Sequence, residues 1–135
     1  MNRASVGFVL LACAGAGAAA TALFTAFGPE PLKTRLQIGS AEVLVPTTAL
    51  YRRKIAPLRA ELPSLRKVIL LDGAPGVGAI ADTEAYETLM EAAPETFAAP
   101  VTVAETPALL HFTSGTTGTP KGALHVHDAA LMHFM

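Results

Sequence analysis

From Ala4 to Pro29 the chain carries no charged residue. A run of that kind is buried in a core, threaded through a bilayer, or removed as a leader, because leaving it in water wastes its apolar surface. Met1-Asn2-Arg3 could serve as a basic n-region, Val6 to Cys13 as an h-region and Ala14-Gly15-Ala16 as a cleavage site, and Leu10-Leu11-Ala12-Cys13 approaches a lipoprotein box. The whole run is also long enough to span a membrane, although its second half is mostly Ala and Gly, weakly hydrophobic for a span. A strand buried on both faces of a parallel sheet gives the same continuous apolar pattern through ordinary packing.

The rest of the chain alternates strands with helices, the mark of an α/β fold. Pro29-Glu30-Pro31 starts a helix: proline suits its first turn and Glu30 its positive end. Leu32 and Leu36 share a face, and Gly39 ends the helix. Ala41 to Val45 reads as a short strand. Thr47 or Thr48 caps a second helix with Tyr51, Ile55 and Leu58 on one side, interrupted or restarted at Pro57. Its basic triplet Arg52-Arg53-Lys54 reads as a solvated face. Val68 to Leu71 is another strand, closed by Asp72-Gly73, and Gly73 to Ala81 is a loop. Gly76-Val77-Gly78 lacks the third glycine and the flanking elements of a dinucleotide fingerprint. Asp82 or Thr83 caps a third helix with an apolar stripe of Tyr86, Leu89, Met90 and Ala93. Pro94 to Pro107 is a surface linker. The expected fold class is α/β: part of a mostly parallel sheet with flanking helices, incomplete.

At 135 residues the chain is at most one domain, and a net charge of −1 gives no basic surface for nucleic acid. Its single cysteine, Cys13, excludes an internal disulfide and a multi-cysteine metal knuckle. No internal repeat is visible.

The chemistry concentrates near the end. The apolar run Ala108 to Phe112 leads into Thr113-Ser114-Gly115-Thr116-Thr117-Gly118-Thr119-Pro120-Lys121-Gly122, and Ala123 to Val126 leads out. Gly115 and Gly118 let a polyanion approach main-chain N–H groups. Thr113, Ser114, Thr116, Thr117 and Thr119 add hydroxyl donors, and Lys121 adds a mobile positive charge. This is the composition of a phosphate cradle, although a Ser/Thr/Gly turn joining two strands is the plain alternative. It is not a Walker loop, which needs Ser or Thr directly after the lysine. Here Gly122 follows, so no hydroxyl beside Lys121 can hold Mg²⁺. Beyond the cradle, Ala123, His125 and His127 fall on one side of a strand and Leu124 and Val126 on the other. Asp128 caps a last helix from Ala129 onward, inside which the chain stops. His125 and His127, with His111 or His133, have no acidic or thiol partner at metal-binding spacing, so no metal site is expected.

The ten residues Thr113 to Gly122 resemble the phosphate-binding signature of the AMP-forming adenylating enzymes, a superfamily that includes acyl-CoA synthetases. The continuation Ala123-Leu124-His125-Val126-His127 and the upstream Phe24-Thr25-Ala26-Phe27-Gly28-Pro29-Glu30 are most similar to acetate–CoA ligases. The resemblance is loose from Gly73 to Ala104. Family members are several times longer, so residues 1–135 are expected to be part of an N-terminal domain. The resemblance implies a buried helix near Ser5 to Ala14 ending at Gly15 or Gly17, a buried parallel strand over Ala18 to Leu23, and a cytoplasmic location with no membrane partner. It places His127 near an acyl or CoA channel; a structural, hydrogen-bonded histidine is the other reading.

The implied reaction activates a small carboxylate with ATP as acyl-adenylate, releases pyrophosphate, and transfers the acyl group to CoA. Lys121 and the phosphate-binding residues Thr113, Ser114, Gly115, Thr116, Thr117, Gly118 and Thr119 would hold the outer phosphates. A carboxylate is already ionised, so no general base is required, and Asp72, Glu30 and Glu61 are too scattered for a catalytic pair. The Mg²⁺ ligand, the adenine- and ribose-binding motifs and the C-terminal-domain lysine of the family fall beyond Met135, so the isolated chain is expected to be inactive. Two other readings compete: a small membrane-anchored or secreted protein with residues 4–24 as signal or anchor, and a non-enzymatic phosphate-binding α/β module.

Overall fold

A computed structural model describes residues 12–73, 80–113 and 119–132. The chain divides into two compact units, Phe24–Glu95 and the pairing of Met1–Leu23 with Thr96–Met135.

Phe24–Glu95 is built on a parallel sheet of three strands, β1 (Val43–Leu44), β2 (Lys67–Leu70) and β3 (Glu84–Ala85), in the order β1-β2-β3. The registers are Val43↔Lys67 and Leu44↔Val68 on one side of β2, and Ile69↔Glu84 and Leu70↔Ala85 on the other. A Lys67–Glu84 ion pair at 2.9 Å fastens β2 to β3, and an Arg66–Glu42 pair precedes the β1–β2 ladder. Helix α1 (Pro29–Ile38) begins after an extended Gly28, with proline at its start and Glu30 in its first turn, and buries Leu32 and Leu36 as their spacing requires. Lys33 pairs with both Glu30 (2.7 Å) and Glu61 (2.9 Å). The charges of those carboxylates and the hydrogen bonds they accept hold the Lys33 ammonium above its ordinary pKa, the bond to Glu30 contributing most.

The second helical segment opens as α2 (Thr48–Leu50), widens into a π turn (Tyr51–Ile55) and tightens into 3₁₀ turns (Ala56–Glu61). Pro57 accounts for the change of pitch. It has no N–H to give to Arg53, so the ladder cannot continue at α-helical spacing. The buried side chains still fall where periodicity puts them: Tyr51, Ile55 and Leu58 join Leu62, Leu65, Leu32 and Leu36 against Val68 and Leu70 of β2 in the core of this unit. Thr47 is the cap, its Oγ accepting from the Leu50 N–H at 3.4 Å. Thr48 instead donates its N–H (2.6 Å) and its hydroxyl (2.7 Å) to Oδ1 of Asp72, in the turn after β2. That turn needs Gly73: a Cβ there would lie 3.1 Å from Leu70 Cβ and 3.3 Å from Ala85 Cβ.

One expectation for this unit is met with an unexpected closure, and two are corrected. Helix α1 does stop at Gly39, but Gly39 has ordinary right-handed angles. The left-handed residue is Ser40 (φ 44°), and the Ala41 N–H reaches back to Leu36 O at 2.9 Å while the Ser40 N–H reaches Gln37 O. This is a Schellman closure with a serine in the glycine position. Neither Asp82 nor Thr83 caps the third helix. Glu84 and Ala85 are first drawn into the sheet as β3, so α3 (Tyr86–Ala92) starts from an extended Ala85 without a side-chain cap, and the Thr83 hydroxyl donates to Ile80 O. The apolar stripe of α3 is not buried: Tyr86 is 43% exposed and Met90 55%. The Gly76-Val77-Gly78 loop lies outside the described residues.

The other unit contains a helical turn at residues 12–15. It closes on Gly17 (φ 70°), with the Ala18 N–H donating to Cys13 O at 2.9 Å and the Gly17 N–H to Ala14 O at 3.0 Å. The helix expected near Ser5 to Ala14 therefore ends where glycine allows, and its earlier residues lie outside the described ones, as does most of the Val6–Cys13 stretch. The strand expected over Ala18 to Leu23 is reduced to a single parallel bridge, Ala20↔Leu109, and is only half-buried to exposed. β4 (Pro107–Thr113) has an irregular register between Pro107 and Leu109, where that ladder would extend. β4 pairs antiparallel with β5 (Lys121–Val126), so this part of the chain departs from the parallel pattern. α4 (His127–Met132) follows at once. It starts at His127 rather than Ala129, and Asp128 lies in its first turn instead of capping it. The segment Pro94–Val101 is exposed, as a surface linker should be. No helix among the described residues is long and apolar enough to cross a membrane.

Two measurements check this account. Ser40→Gly removes the cost of a side chain in the left-handed region and is expected to raise unfolding stability by about 1 kcal/mol in a urea titration; no gain would mean that the helix closure is not strained. Asp72 is the second case. The N–H and hydroxyl of Thr48 hold its carboxyl below the usual value, the N–H contributing more. A depressed carboxylate stabilises the fold above its unfolded pKa of about 3.9, and that stabilisation is lost as pH falls through the lower folded value. The Asp72→Asn variant is therefore expected to lose stability less steeply than the native chain between about pH 5 and pH 2, and parallel slopes would contradict the Thr48–Asp72 linkage.

Candidate functional site

The hairpin β4–β5 brings together what the motif separates by sequence. In its register, Thr113↔Lys121 is the last pair before the turn, followed inward by Phe112↔Gly122, His111↔Ala123, Leu110↔Leu124 and Leu109↔His125. Directly opposed residues share a face, with Cβ atoms roughly 5 Å apart. Thr113 and Lys121 thus stand side by side at the mouth of the turn, both exposed. His111, Ala123 and His125 continue their face, while Leu110, Phe112, Leu124 and Val126 occupy the other, as alternation requires. The plain alternative of a turn joining two strands describes the topology correctly, and it is compatible with a cradle: the strands supply a fixed frame on which the turn is carried.

Of the expected phosphate-binding residues, Thr113, Thr119 and Lys121 are described, and Ser114, Gly115, Thr116, Thr117 and Gly118 lie outside the described residues. Thr119 is exposed and Pro120 half-buried. No carboxylate pairs with Lys121 among the described residues, so its ammonium is available to an outside anion.

His127 sits elsewhere. Six positions beyond Lys121 along β5, it is roughly 20 Å away at the ordinary strand rise, at the opposite end of the hairpin. Its N–H donates to Thr106 O at 3.0 Å and the Asp128 N–H donates to Ala104 O at 3.1 Å, tying the start of α4 to the turn before β4. The imidazole Nε2 is buried without a hydrogen-bond partner among the described residues. With Thr102, Val103, Ala104 and Asp128, His127 lines a cavity of about 270 Å³. The two expected site components are therefore separate places on one hairpin.

Among the described residues no group of three His, Cys, Asp or Glu side chains could hold a metal ion. Lys121, flanked by Pro120 and Gly122, has no hydroxyl beside it to contribute. The described residues do not fit a Mg²⁺ site.

One cation in Phe24–Glu95 departs from the sequence reading. Arg52 and Arg53 are exposed, as a solvated face should be, but Lys54 folds back and donates to Thr25 O and Phe27 O at 2.6 Å each.

The family described as AMP-binding enzyme matches residues 1–135. An acetyl-coenzyme A synthetase of Rhodopirellula baltica is 34% identical, aligned over 86% of this chain and 19% of its own length. One from Bacillus subtilis is also 34% identical, over 94% of this chain and 21% of its own. Among solved structures, the anthranilate CoA ligase AuaEII in complex with anthranoyl-AMP superposes with a TM-score of 0.79 at 25% identity, covering 94% of this chain and 24% of that one. The acetoacetyl-CoA synthetase from Streptomyces lividans gives 0.78 at 29% identity, over 96% of this chain and 21% of that one. The chain spans about a fifth of the length of the curated relatives it matches.

Proposed function

The chain belongs to the AMP-binding enzyme family, and from that premise we propose that it is a piece of an ATP-dependent, AMP-forming acyl-CoA synthetase that activates acetate or a similarly small carboxylate. The observation that carries the reading is the Thr113↔Lys121 pair at the mouth of the β4–β5 turn. It sets a hydroxyl beside an ammonium that has no carboxylate partner among the described residues, at the ends of the Gly- and Thr-rich stretch.

In the first half-reaction an anion must approach a polyanion. The carboxylate oxygen attacks the α-phosphorus of ATP, and the bond to the bridging oxygen breaks, so that pyrophosphate leaves with the electron pair. Lys121 neutralises charge on the outer phosphates, and the hydroxyls of Thr113, Ser114, Thr116, Thr117 and Thr119 donate to them. Gly115 and Gly118 carry no Cβ to bar a phosphate from main-chain N–H groups. Strand pairing fixes the base of the turn before substrate arrives, so Lys121 needs little reorganisation. In the second half-reaction the CoA thiol displaces AMP, and the cradle has no further charge to stabilise. His127, in its separate cavity, is read as a lining residue of an acyl or CoA channel. A cytoplasmic location goes with this reading, as does dependence on residues outside this chain for Mg²⁺ and for adenine and ribose.

Lys121→Ala in the full-length ligase tests it. Loss of a charge-assisted hydrogen bond worth about 1.5–3 kcal/mol is expected to slow carboxylate-dependent pyrophosphate exchange by about ten- to a hundredfold. Thioester formation from preformed acyl-adenylate and CoA should be spared, since pyrophosphate has already left. Equal losses in both assays would move Lys121 from triphosphate chemistry to the fold, and production of ADP would place the attack at the wrong phosphorus.

A further inference from the structure

The turn Phe24–Gly28, ahead of α1, leaves two main-chain acceptors without a main-chain donor. The Phe27 N–H bonds to Phe24 O at 3.1 Å and the Leu32 N–H to Gly28 O at 3.2 Å, but no main-chain N–H among the described residues reaches Thr25 O or Phe27 O. Both carbonyls converge instead on the Lys54 ammonium, at 2.6 Å each. Lys54 has no carboxylate partner among the described residues, and its reach depends on the π turn Tyr51–Ile55, with the Ala56 N–H bonded to Tyr51 O. On the same turn, the Arg35 guanidinium lies 4.1 Å from the centroid of the Phe27 ring, and Phe24 meets Phe27 edge-on at 5.6 Å. Phe24 nevertheless remains 71% exposed, so the rings alone bury too little to hold the turn in place.

We propose that Lys54 is a positioning residue, an electrostatic lock that fixes the Phe24–Gly28 turn against the second helical segment by occupying both free carbonyls with one ammonium. Two properties follow from the chemistry. The lock depends on a cation with several N–H donors at the end of a long stem, because a neutral aliphatic chain of the same length gives up both bonds and leaves the part-buried Phe27 carbonyl without its donor. It is also local: Lys54 is outside the buried set Tyr51, Ile55 and Leu58, so releasing it frees the turn without emptying the core. The turn is the point at which the chain enters the Phe24–Glu95 unit, and the lock sets the path of the chain at that entry.

The test is amide hydrogen exchange on the 135-residue chain, read at Phe27, whose N–H closes the turn, and at Val68, at the centre of β2. Lys54→Met, which keeps the stem and removes the ammonium, is expected to speed exchange at Phe27 at least tenfold while leaving Val68 within twofold. Lys54→Arg, which restores a cation with several donors, should recover most of the protection. Unchanged exchange at Phe27 in Lys54→Met, or an equal acceleration at Val68, would overturn the lock. A second measurement does not depend on a folded variant. In the native chain the Lys54 ammonium should show slowed hydrogen exchange and through-hydrogen-bond coupling to the carbonyl carbons of Thr25 and Phe27. A freely exchanging, uncoupled Lys54 ammonium would refute the proposal.

Discussion

Strand β2 is the constraint on which the larger unit depends. It is the strand with a partner on each edge, β1 on one side and β3 on the other, and Val68 at its centre has 0% exposure. Its neighbours run parallel to it, so each is reached through a crossover, and the second helical segment lies in the one from β1 to β2. The Leu32–Leu36 face of α1, which precedes β1, and the Tyr51–Ile55–Leu58 face of the second helical segment are buried in the same unit. The irregular pitch around Pro57 is tolerated because the π and 3₁₀ turns preserve the face. Asp72 and Gly73 then end β2 sharply: one ties the turn to Thr48, and the other lets the chain pass close to Leu70 and Ala85.

The cradle rests on a different architecture. An antiparallel hairpin places residues that are eight apart in sequence directly opposite each other, as in Thr113↔Lys121. That pairing sets Lys121 directly beside Thr113 at the ends of the two strands. The same pairing separates the cradle from His127 by the length of β5. Lys121 and the His127 cavity thus lie at opposite ends of the hairpin.

Much of this was legible in the sequence wherever one local rule dominates. The span of α1, the buried trio Tyr51, Ile55 and Leu58, the β2 strand and the exposed Pro94–Val101 linker follow from periodicity and from proline and glycine. The candidate cradle stood out through its order of hydroxyls, spaced glycines and Pro-Lys-Gly after an apolar run, since composition alone fits a plain turn as well. Misreadings arose where tertiary pairing overruled local preference. Gly39 does end α1, and the left-handed angles fall on Ser40 after it because the closing bonds run from Ser40 and Ala41 back to Gln37 and Leu36. Asp82 and Thr83 cap nothing because β2 captures Glu84 and Ala85 first. Asp128 is inside α4 because main-chain bonds from His127 and Asp128 to Thr106 and Ala104 start that helix early. Lys54 could not be told from its solvated neighbours, since the carbonyls it serves are far away in sequence and their lack of donors is a property of the folded turn. The apolar stripe of α3 has the right period yet stays exposed, because periodicity reports that a face exists and says nothing of what covers it.

The central claim is that Thr113 to Gly122, carried on the β4–β5 hairpin, recognises the outer phosphates of a nucleotide. Titrating inorganic pyrophosphate into the isotopically labelled chain and following backbone amide shifts tests it most directly. The account predicts saturable shifts concentrated between Thr113 and Gly122, weakened by Lys121→Ala, with AMP producing much smaller changes at the same amides. Shifts of equal size with AMP and pyrophosphate, or pyrophosphate shifts centred outside the hairpin turn, would contradict it.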